Sequence, residues 1–135
     1  MSAGVFLDTG IFVAILNGRD QWHDQAVALF DHAKPKWFCS YLVVSEAYSW
    51  FLHRMGEEPA RTFRQFLGNL DGLRVLEATR EHHARVLRML DKFRGAKLTY
   101  VDASSLCFME QQKIRRVWST DHHLGLTGAE VLPRS

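Results

Sequence analysis

The sequence is poor in the features that mark disulfide-rich, repetitive or membrane proteins. Its only two cysteines, Cys39 and Cys107, have no Cys-x-x-Cys spacing, so we expect two buried thiols rather than a disulfide framework or a zinc site. It has no internal repeat and no low-complexity segment. No stretch reaches the roughly 18 uninterrupted apolar residues that a membrane span needs. No basic residue precedes the first apolar run and Asp8 interrupts it, which argues against a signal peptide. We therefore expect a cytoplasmic protein.

A strong charge of either sign is also missing. The formal net charge is +2 and the sequence pI is about 8.7, which neither requires nor excludes a nucleic-acid partner. Apolar residues make up 47% of the chain and charged residues 24%, as in ordinary globular proteins. A length of 135 residues predicts one domain, spanning 1–135, with a single core.

The first apolar run indicates how the chain begins to fold. Residues 4–7 suit a strand buried on both faces, Asp8 follows, and apolar residues at helical spacing come next. Further strands are predicted at residues 37–39, 73–76, 116–119 and 131–132, with amphipathic helices between them. The helix predicted over 79–93 places Ala84, Val86, Leu87 and Leu90 inward. Short strands alternating with helices predict a parallel sheet flanked by helices.

Four carboxylates stand out because of their surroundings. Asp8 and Asp121 each follow an apolar strand directly, at the edge where open α/β sheets bind ligands. Glu46 and Asp102 each lie on a helix among apolar neighbours, where an ionised carboxylate needs a partner. Each also has a structural alternative. Asp8 and Asp121 fit helix or turn caps, and Asp102 fits a capping box with Thr99. Glu46 fits a side chain that either snorkels to solvent or pairs with an arginine.

Taken together, the four carboxylates indicate a metal site. Carboxylates gathered in one cleft repel one another unless cations neutralise them. Oxygen ligands without thiolates suit Mg²⁺, with Mn²⁺ as a substitute. Such a site supports metal-assisted attack of water on a phosphodiester bond.

The order and spacing of these acids resemble those of PIN-domain nucleases, in particular the small toxins of VapBC toxin–antitoxin pairs. The resemblance covers nearly the whole chain and is carried by residues 5–9, 45–46, 98–103, 119–121 and 130–133. It implies a three-layer α/β/α sandwich with a central parallel sheet. It also implies a Mg²⁺-dependent endoribonuclease that forms a homodimer and is inhibited by a separate antitoxin protein.

The resemblance also implies roles for individual residues. By position, the catalytic and metal-binding set is Asp8, Glu46, Asp102 and Asp121, of which Asp8 and Asp102 are the principal ligands. Thr9 and Thr120 match small polar positions that support the site. The chain departs from the family pattern at Gly10, where Asn or Ser is frequent, and at Leu124, where Phe is frequent. Neither position is a metal ligand.

Two further groups of side chains are open to more than one interpretation. Arg85, Arg88 and Lys92 form a basic stripe along one helix, which is either a solvated face or a surface that binds RNA phosphates. The paired histidines at 82–83 and 122–123 are adjacent in sequence and do not share a helical face, which disfavours a zinc site.

Two alternatives to a toxin remain at this stage. One is a PIN-type nuclease of general RNA processing that has no antitoxin. The other is a non-catalytic interaction module that keeps the fold. Loss of any of the four acids would favour the module, and all four are present.

Overall fold

A five-stranded sheet forms the centre of the protein, in a computed structural model that describes residues 4–134. The strands are β1 (Gly4–Leu7), β2 (Lys36–Ser40), β3 (Arg74–Leu76), β4 (Arg116–Ser119) and β5 (Glu130–Pro133). Their order is β3-β2-β1-β4-β5, and every neighbouring pair is parallel. The predicted parallel sheet is therefore confirmed. The predicted domain also includes residues 1–3 and 135, which lie outside the described residues.

Six helices connect the strands and cover the sheet. They are α1 (Thr9–Leu16), α2 (His23–His32), α3 (Tyr41–Met55), α4 (Glu57–Gly68), α5 (Arg80–Lys92) and α6 (Tyr100–Gln112), followed by a 3₁₀ turn at His122–Gly125. Helices α1 to α4 pack against one another, and α5 packs against α6. The result is the predicted α/β/α sandwich. Among the helices of residues 4–134, none combines the length and apolarity needed to cross a membrane.

The first strand is the centre of the core. Val5, Phe6 and Leu7 are completely buried, as expected for a parallel strand that is covered on both faces. Aromatic rings fill the space beside it: Phe30 contacts Trp37 and Trp118 with ring centroids 5.4 and 4.9 Å apart. Both cysteines are buried and free, as the sequence predicted.

The register of the strands determines which residues meet at the carboxyl edge of the sheet. Phe6 pairs with Phe38 of β2, and Leu7 pairs with Trp118 of β4. One residue beyond the end of β1, Asp8 is therefore level with the last residues of β2 and β4. Loops and helix starts that follow these strands converge on the same edge, where α/β sheets bind their ligands.

The inward face of α5 differs from the prediction. Of the four residues predicted to face inward, Ala84 and Leu87 are exposed, Leu87 by 48%. The buried residues of α5 are His82, Val86 and Met89. The imidazole of His82 takes the place expected for an aliphatic side chain because its Nε2 is 2.7 Å from Ser104 Oγ of α6. The inward face of α5 is therefore rotated from the predicted one toward His82.

Candidate active site

Asp8 is the most deeply buried carboxylate among the described residues, with 4% of its surface exposed. It precedes α1, yet its side chain makes no capping hydrogen bond, so the interpretation of Asp8 as a simple helix cap is wrong. Its Oδ2 accepts a 2.8 Å hydrogen bond from Ser119 Oγ. Its Oδ1 is buried and has no hydrogen-bond partner within residues 4–134. A buried carboxylate oxygen without a partner is energetically costly, and a cation would satisfy it.

The electrostatic surroundings of Asp8 contain two further carboxylates. Burial raises the pKa of Asp8 to about 7, although the hydrogen bond from Ser119 acts in the opposite direction. The negative charges of Asp102 and Glu46 raise this pKa further. The structure thus places Asp8, Glu46 and Asp102 close enough for their charges to interact.

Glu46 is held beside the start of α1. It is half-buried on α3, and its Oε1 accepts a hydrogen bond from Thr9 Oγ1. Thr9 directly follows Asp8, so this contact ties α3 to the end of the central strand. Within residues 4–134, Glu46 forms no salt bridge, so the alternative of an arginine partner is wrong.

Asp102 caps its own helix and lies among the other acids. Its Oδ2 accepts a 3.2 Å hydrogen bond from the Thr99 backbone N–H, and the Asp102 backbone N–H donates to Thr99 Oγ1 at 3.1 Å. This is the capping box that the sequence predicted. Burial raises the pKa of Asp102, and the charge of Asp121 adds to the shift. The capping box therefore does not exclude Asp102 from a site shared with the other acids.

Asp121 is close enough to Asp102 for its charge to raise the pKa of that carboxyl, and it is held by a neighbouring histidine. Its Oδ1 lies 2.8 Å from His123 Nδ1 and accepts a 3.0 Å hydrogen bond from the His123 backbone N–H. The Asp121 side chain thereby caps the 3₁₀ turn, as one alternative predicted. We use the term acidic cluster for Asp8, Glu46, Asp102 and Asp121.

Ser119 links two members of the acidic cluster, and sequence reasoning assigned it no role. It is completely buried at the end of β4. Its hydroxyl donates to Asp8 Oδ2 and accepts a 2.9 Å hydrogen bond from the Asp121 backbone N–H. The signal available in the sequence was a polar residue, Ser119, that follows two apolar residues at the end of a strand and lies two residues before Asp121.

Gly10 allows the two chain segments that carry Asp8 and Asp121 to approach each other. A Cβ atom at Gly10 would lie 2.2 Å from Thr120 Oγ1 and 3.1 Å from the Thr120 backbone nitrogen. Any larger residue would therefore displace Thr120, which immediately precedes Asp121. Glycine at this position, where the family often has Asn or Ser, therefore fits the close approach of Thr120.

The acidic cluster suits a hard divalent cation. All four residues offer carboxylate oxygens, and Asp8 Oδ1 is buried without a partner among the described residues. Mg²⁺ and Mn²⁺ prefer such ligands. Among the described residues, the three side chains whose candidate ligand atoms all lie within 4.8 Å of one another are Asp121, His122 and His123, rather than three of the four acids. However, the two imidazole rings are stacked with centroids 4.4 Å apart, and His123 Nδ1 is already paired with Asp121.

The predicted basic stripe lies outside the acidic cluster. Arg85, Arg88 and Lys92 are exposed on α5. Together with Met89, Cys107 and Glu110 they line a groove of about 200 Å³ between α5 and α6. The structure therefore separates the four acids from the three cations.

Several solved structures share this fold over nearly their whole length. VapC20 of Mycobacterium tuberculosis, described as a sarcin–ricin loop cleaving toxin, matches with a TM-score of 0.83 at 21% identity, covering 93% of this chain and 95% of that chain. FitAcB of Neisseria gonorrhoeae matches with a TM-score of 0.68 at 15% identity, covering 94% and 95%. A toxin–antitoxin complex of Klebsiella pneumoniae matches with a TM-score of 0.68 at 13% identity, covering 95% of each chain. At these identities the likeness establishes the fold.

The family follows from the sequence itself. A search of curated proteins by sequence finds no match. The sequence model of the PIN domain, in contrast, matches residues 5–129, which include all four acids of the acidic cluster. This match confirms the resemblance predicted from the order of the acids, and the chain therefore belongs to the PIN domain family.

Proposed function

We propose that this protein is a Mg²⁺-dependent endoribonuclease and the toxin of a toxin–antitoxin pair. The observation that carries the proposal is the buried Asp8, which has an unpartnered oxygen and two neighbouring carboxylates. A protein gains nothing in stability from such an arrangement in the absence of a cation. Membership of the PIN family supports the same conclusion, because PIN nucleases are typically metal-dependent hydrolases.

In this proposal Asp8 and Asp102 are the principal ligands of the ion, and Glu46 and Asp121 complete the site. When bound, Mg²⁺ or Mn²⁺ acidifies a water molecule and stabilises negative charge on the phosphodiester oxygens. Because the pKa of Asp8 is about 7, a cation must displace its proton near neutral pH. Metal binding should therefore strengthen as the pH rises through this value.

The remaining side chains of the site orient these ligands. Ser119 donates to Asp8 Oδ2 and so leaves Oδ1 for the ion. Thr9 donates to Glu46, and His123 pairs with one oxygen of Asp121. Outer contacts of this kind fix the direction of a ligand and raise metal affinity.

RNA is the proposed substrate and a separate antitoxin the proposed partner. VapC20 is described as a toxin that cleaves the sarcin–ricin loop, and the Klebsiella match is a toxin–antitoxin complex. Both share the fold of this chain. We also propose that the protein acts in the cytoplasm as a homodimer, as the family resemblance implies.

The test is a cleavage reaction on total cellular RNA. Purified protein is incubated with RNA in the presence of Mg²⁺ or of a chelator, and new 5′ ends are mapped by sequencing. We expect discrete new ends that require Mg²⁺ and are absent with the Asp8→Asn variant. Inhibition by the protein encoded next to this gene would support the toxin. Mg²⁺-dependent cleavage without such an inhibitor would support general RNA processing, and the absence of cleavage would support a non-catalytic module.

A further inference from the structure

The groove between α5 and α6 collects positive charge without pairing it. Three of its lining residues, Arg85, Arg88 and Lys92, are cations, and Glu110 is its only carboxylate. Within residues 4–134 none of the three cations forms a salt bridge. Glu81 lies four residues before Arg85 and Asp91 three residues after Arg88 on the same helix, yet within the described residues neither forms a salt bridge with them. This groove therefore offers free cations to an anionic ligand.

The guanidinium groups of Arg85 and Arg88 face α6 closely enough to affect its side chains. Burial raises the pKa of the Cys107 thiol and Glu110 adds to this shift, whereas Arg85 and Arg88 act against it. Arg85 also lowers the pKa of His82, adding to the larger effect of burial. Arg85 and Arg88, although exposed, thus lie beside the seam between the two helices.

The groove has a defined direction relative to the acidic cluster. Helix α6 begins at Tyr100, carries Asp102 of the acidic cluster in its first turn and ends at Gln112. At 1.5 Å per residue, Cys107 and Glu110 lie about 8 Å and 12 Å along the helix axis from Asp102. On α5, Arg85 is nearest to the contact between His82 and Ser104, and Lys92 is a full two turns further on. The cations therefore form a track that leads away from the acids.

We propose that this groove is a phosphate-binding subsite that holds the RNA strand on one side of the bond to be cleaved. Arg85 would contact the phosphate nearest to the acidic cluster, and Arg88 and Lys92 would contact successive phosphates further away. Arginine and lysine contacts to phosphates position a nucleic acid without reading its sequence. The proposal rests on the proposed ribonuclease function but assigns no catalytic role to the groove.

A matched pair of double variants tests the groove. Arg85→Ala/Arg88→Ala removes two arginines spaced three residues apart on α5. Arg61→Ala/Arg64→Ala removes two exposed arginines with the same spacing on α4, so that the two variants have equal net charge. Binding of a fluorescent single-stranded RNA is measured by anisotropy in the presence of a chelator, over a series of salt concentrations.

We expect the α5 double variant to bind RNA at least about tenfold more weakly than the α4 double variant. Its salt slope should be lower by about 1.4, since each lost contact to a single strand removes roughly 0.7. Glu110→Gln should tighten binding by about threefold, because it removes a negative charge from the track. Equal affinities and equal slopes for the two double variants would overturn the proposal.

RNA length supplies a second readout. The affinity for RNA should rise with RNA length up to a limiting length. This limiting length should be shorter for Lys92→Ala than for the unmodified protein, because Lys92 is at the far end of the track. Poly-L-glutamate serves as the competing anion. If the α5 variant lost affinity for poly-L-glutamate but not for RNA, the groove would be a site for an acidic protein and the proposal would be wrong.

These measurements are independent of cleavage. They use a chelator and can be repeated in the Asp8→Asn background, where the proposed metal site is impaired. A protein that shows groove-dependent binding but never cleaves RNA would contradict the proposed function alone. A protein that cleaves RNA without any dependence on Arg85 or Arg88 would contradict the subsite alone.

Discussion

The two ends of α6 lie in chemically opposite surroundings. Its beginning carries Asp102, which lies among carboxylates at the edge of the sheet, whereas its end carries Glu110, which faces three cations of α5. The acidic cluster contains buried and half-buried side chains from different elements, of which Asp8 and Glu46 accept hydrogen bonds from Ser119 and Thr9. The basic groove, as we call the groove between α5 and α6, is lined by three exposed cations that all lie on α5.

This difference separates two kinds of electrostatic effect. Charges that are withdrawn from water interact strongly, so the acidic cluster should control stability, pH dependence and metal binding. Exposed charges are screened by salt, so the basic groove should control only the affinity for an anion. Variants of the two regions should therefore change different properties of the protein, and by different amounts.

The largest effect should come from removing one charge of the acidic cluster. We expect Asp8→Asn to lower the rate of RNA cleavage by about a thousandfold or more, because a catalytic metal supplies several kcal/mol of transition-state stabilisation. Asp31→Asn, which changes an exposed aspartate on α2, should leave the rate unchanged. Full activity of Asp8→Asn would show that the acidic cluster is not the active site.

The pH dependence of stability should reveal the same carboxylate. The pKa of Asp8 rises from 3.8 to about 7 on folding, so the folded state retains a proton that the unfolded state loses. The metal-free protein should therefore lose stability as the pH rises through this window, by about 4 kcal/mol for this shift alone. Urea unfolding in a chelator, across this pH range, should show the loss in the unmodified protein and a much smaller loss in Asp8→Asn. If the free energy of unfolding depended on pH equally in both proteins, Asp8 would not be buried in its protonated form.

A smaller effect should follow from the loss of a group that orients Asp8. Ser119→Ala removes the hydrogen bond that favours the ionised form of Asp8. We expect metal affinity to fall by about 10- to 100-fold, as is typical of such outer contacts. The pH at which the metal binds should shift upward, because that hydrogen bond lowers the pKa of Asp8. Calorimetric titration with Mn²⁺ at several pH values measures both changes, and an unchanged pH profile would leave Ser119 as a packing residue.

A steric effect of similar size should follow from filling the space beside Gly10. Gly10→Ala places a methyl group in contact with Thr120 Oγ1, and we expect it to cost about 1–3 kcal/mol of stability, as is typical of overpacking. Adding Thr120→Ala removes that oxygen and should restore part of the loss. Thermal unfolding of the single and double variants measures this coupling. Strictly additive effects would show that the two residues do not clash.

The fold was predictable because its signals are local. Apolar runs marked the strands, and Thr99 marked the start of α6 with the capping box that the structure contains. The face of α5 was predicted wrongly because a buried histidine, satisfied by Ser104, is indistinguishable from a surface histidine in the sequence.

The contacts of the acidic cluster were less predictable than its members. The four acids could be proposed from their apolar surroundings and their order along the chain. The hydrogen bond between Ser119 and Asp8 joins residues 111 positions apart, and no local sequence pattern predicts it. The same holds for the close approach of Gly10 to Thr120. Such contacts depend on strand order and register, which arise only when the whole sheet has formed.

The central claim is that the acidic cluster holds a divalent cation through Asp8. The most direct test is titration of the purified protein with Mn²⁺, following the free ion by electron paramagnetic resonance at a pH above the pKa of Asp8. We expect the unmodified protein and Asp31→Asn to bind the ion with equal affinity, and Asp8→Asn to leave it free at the same concentrations. Equal binding by all three proteins would contradict the account.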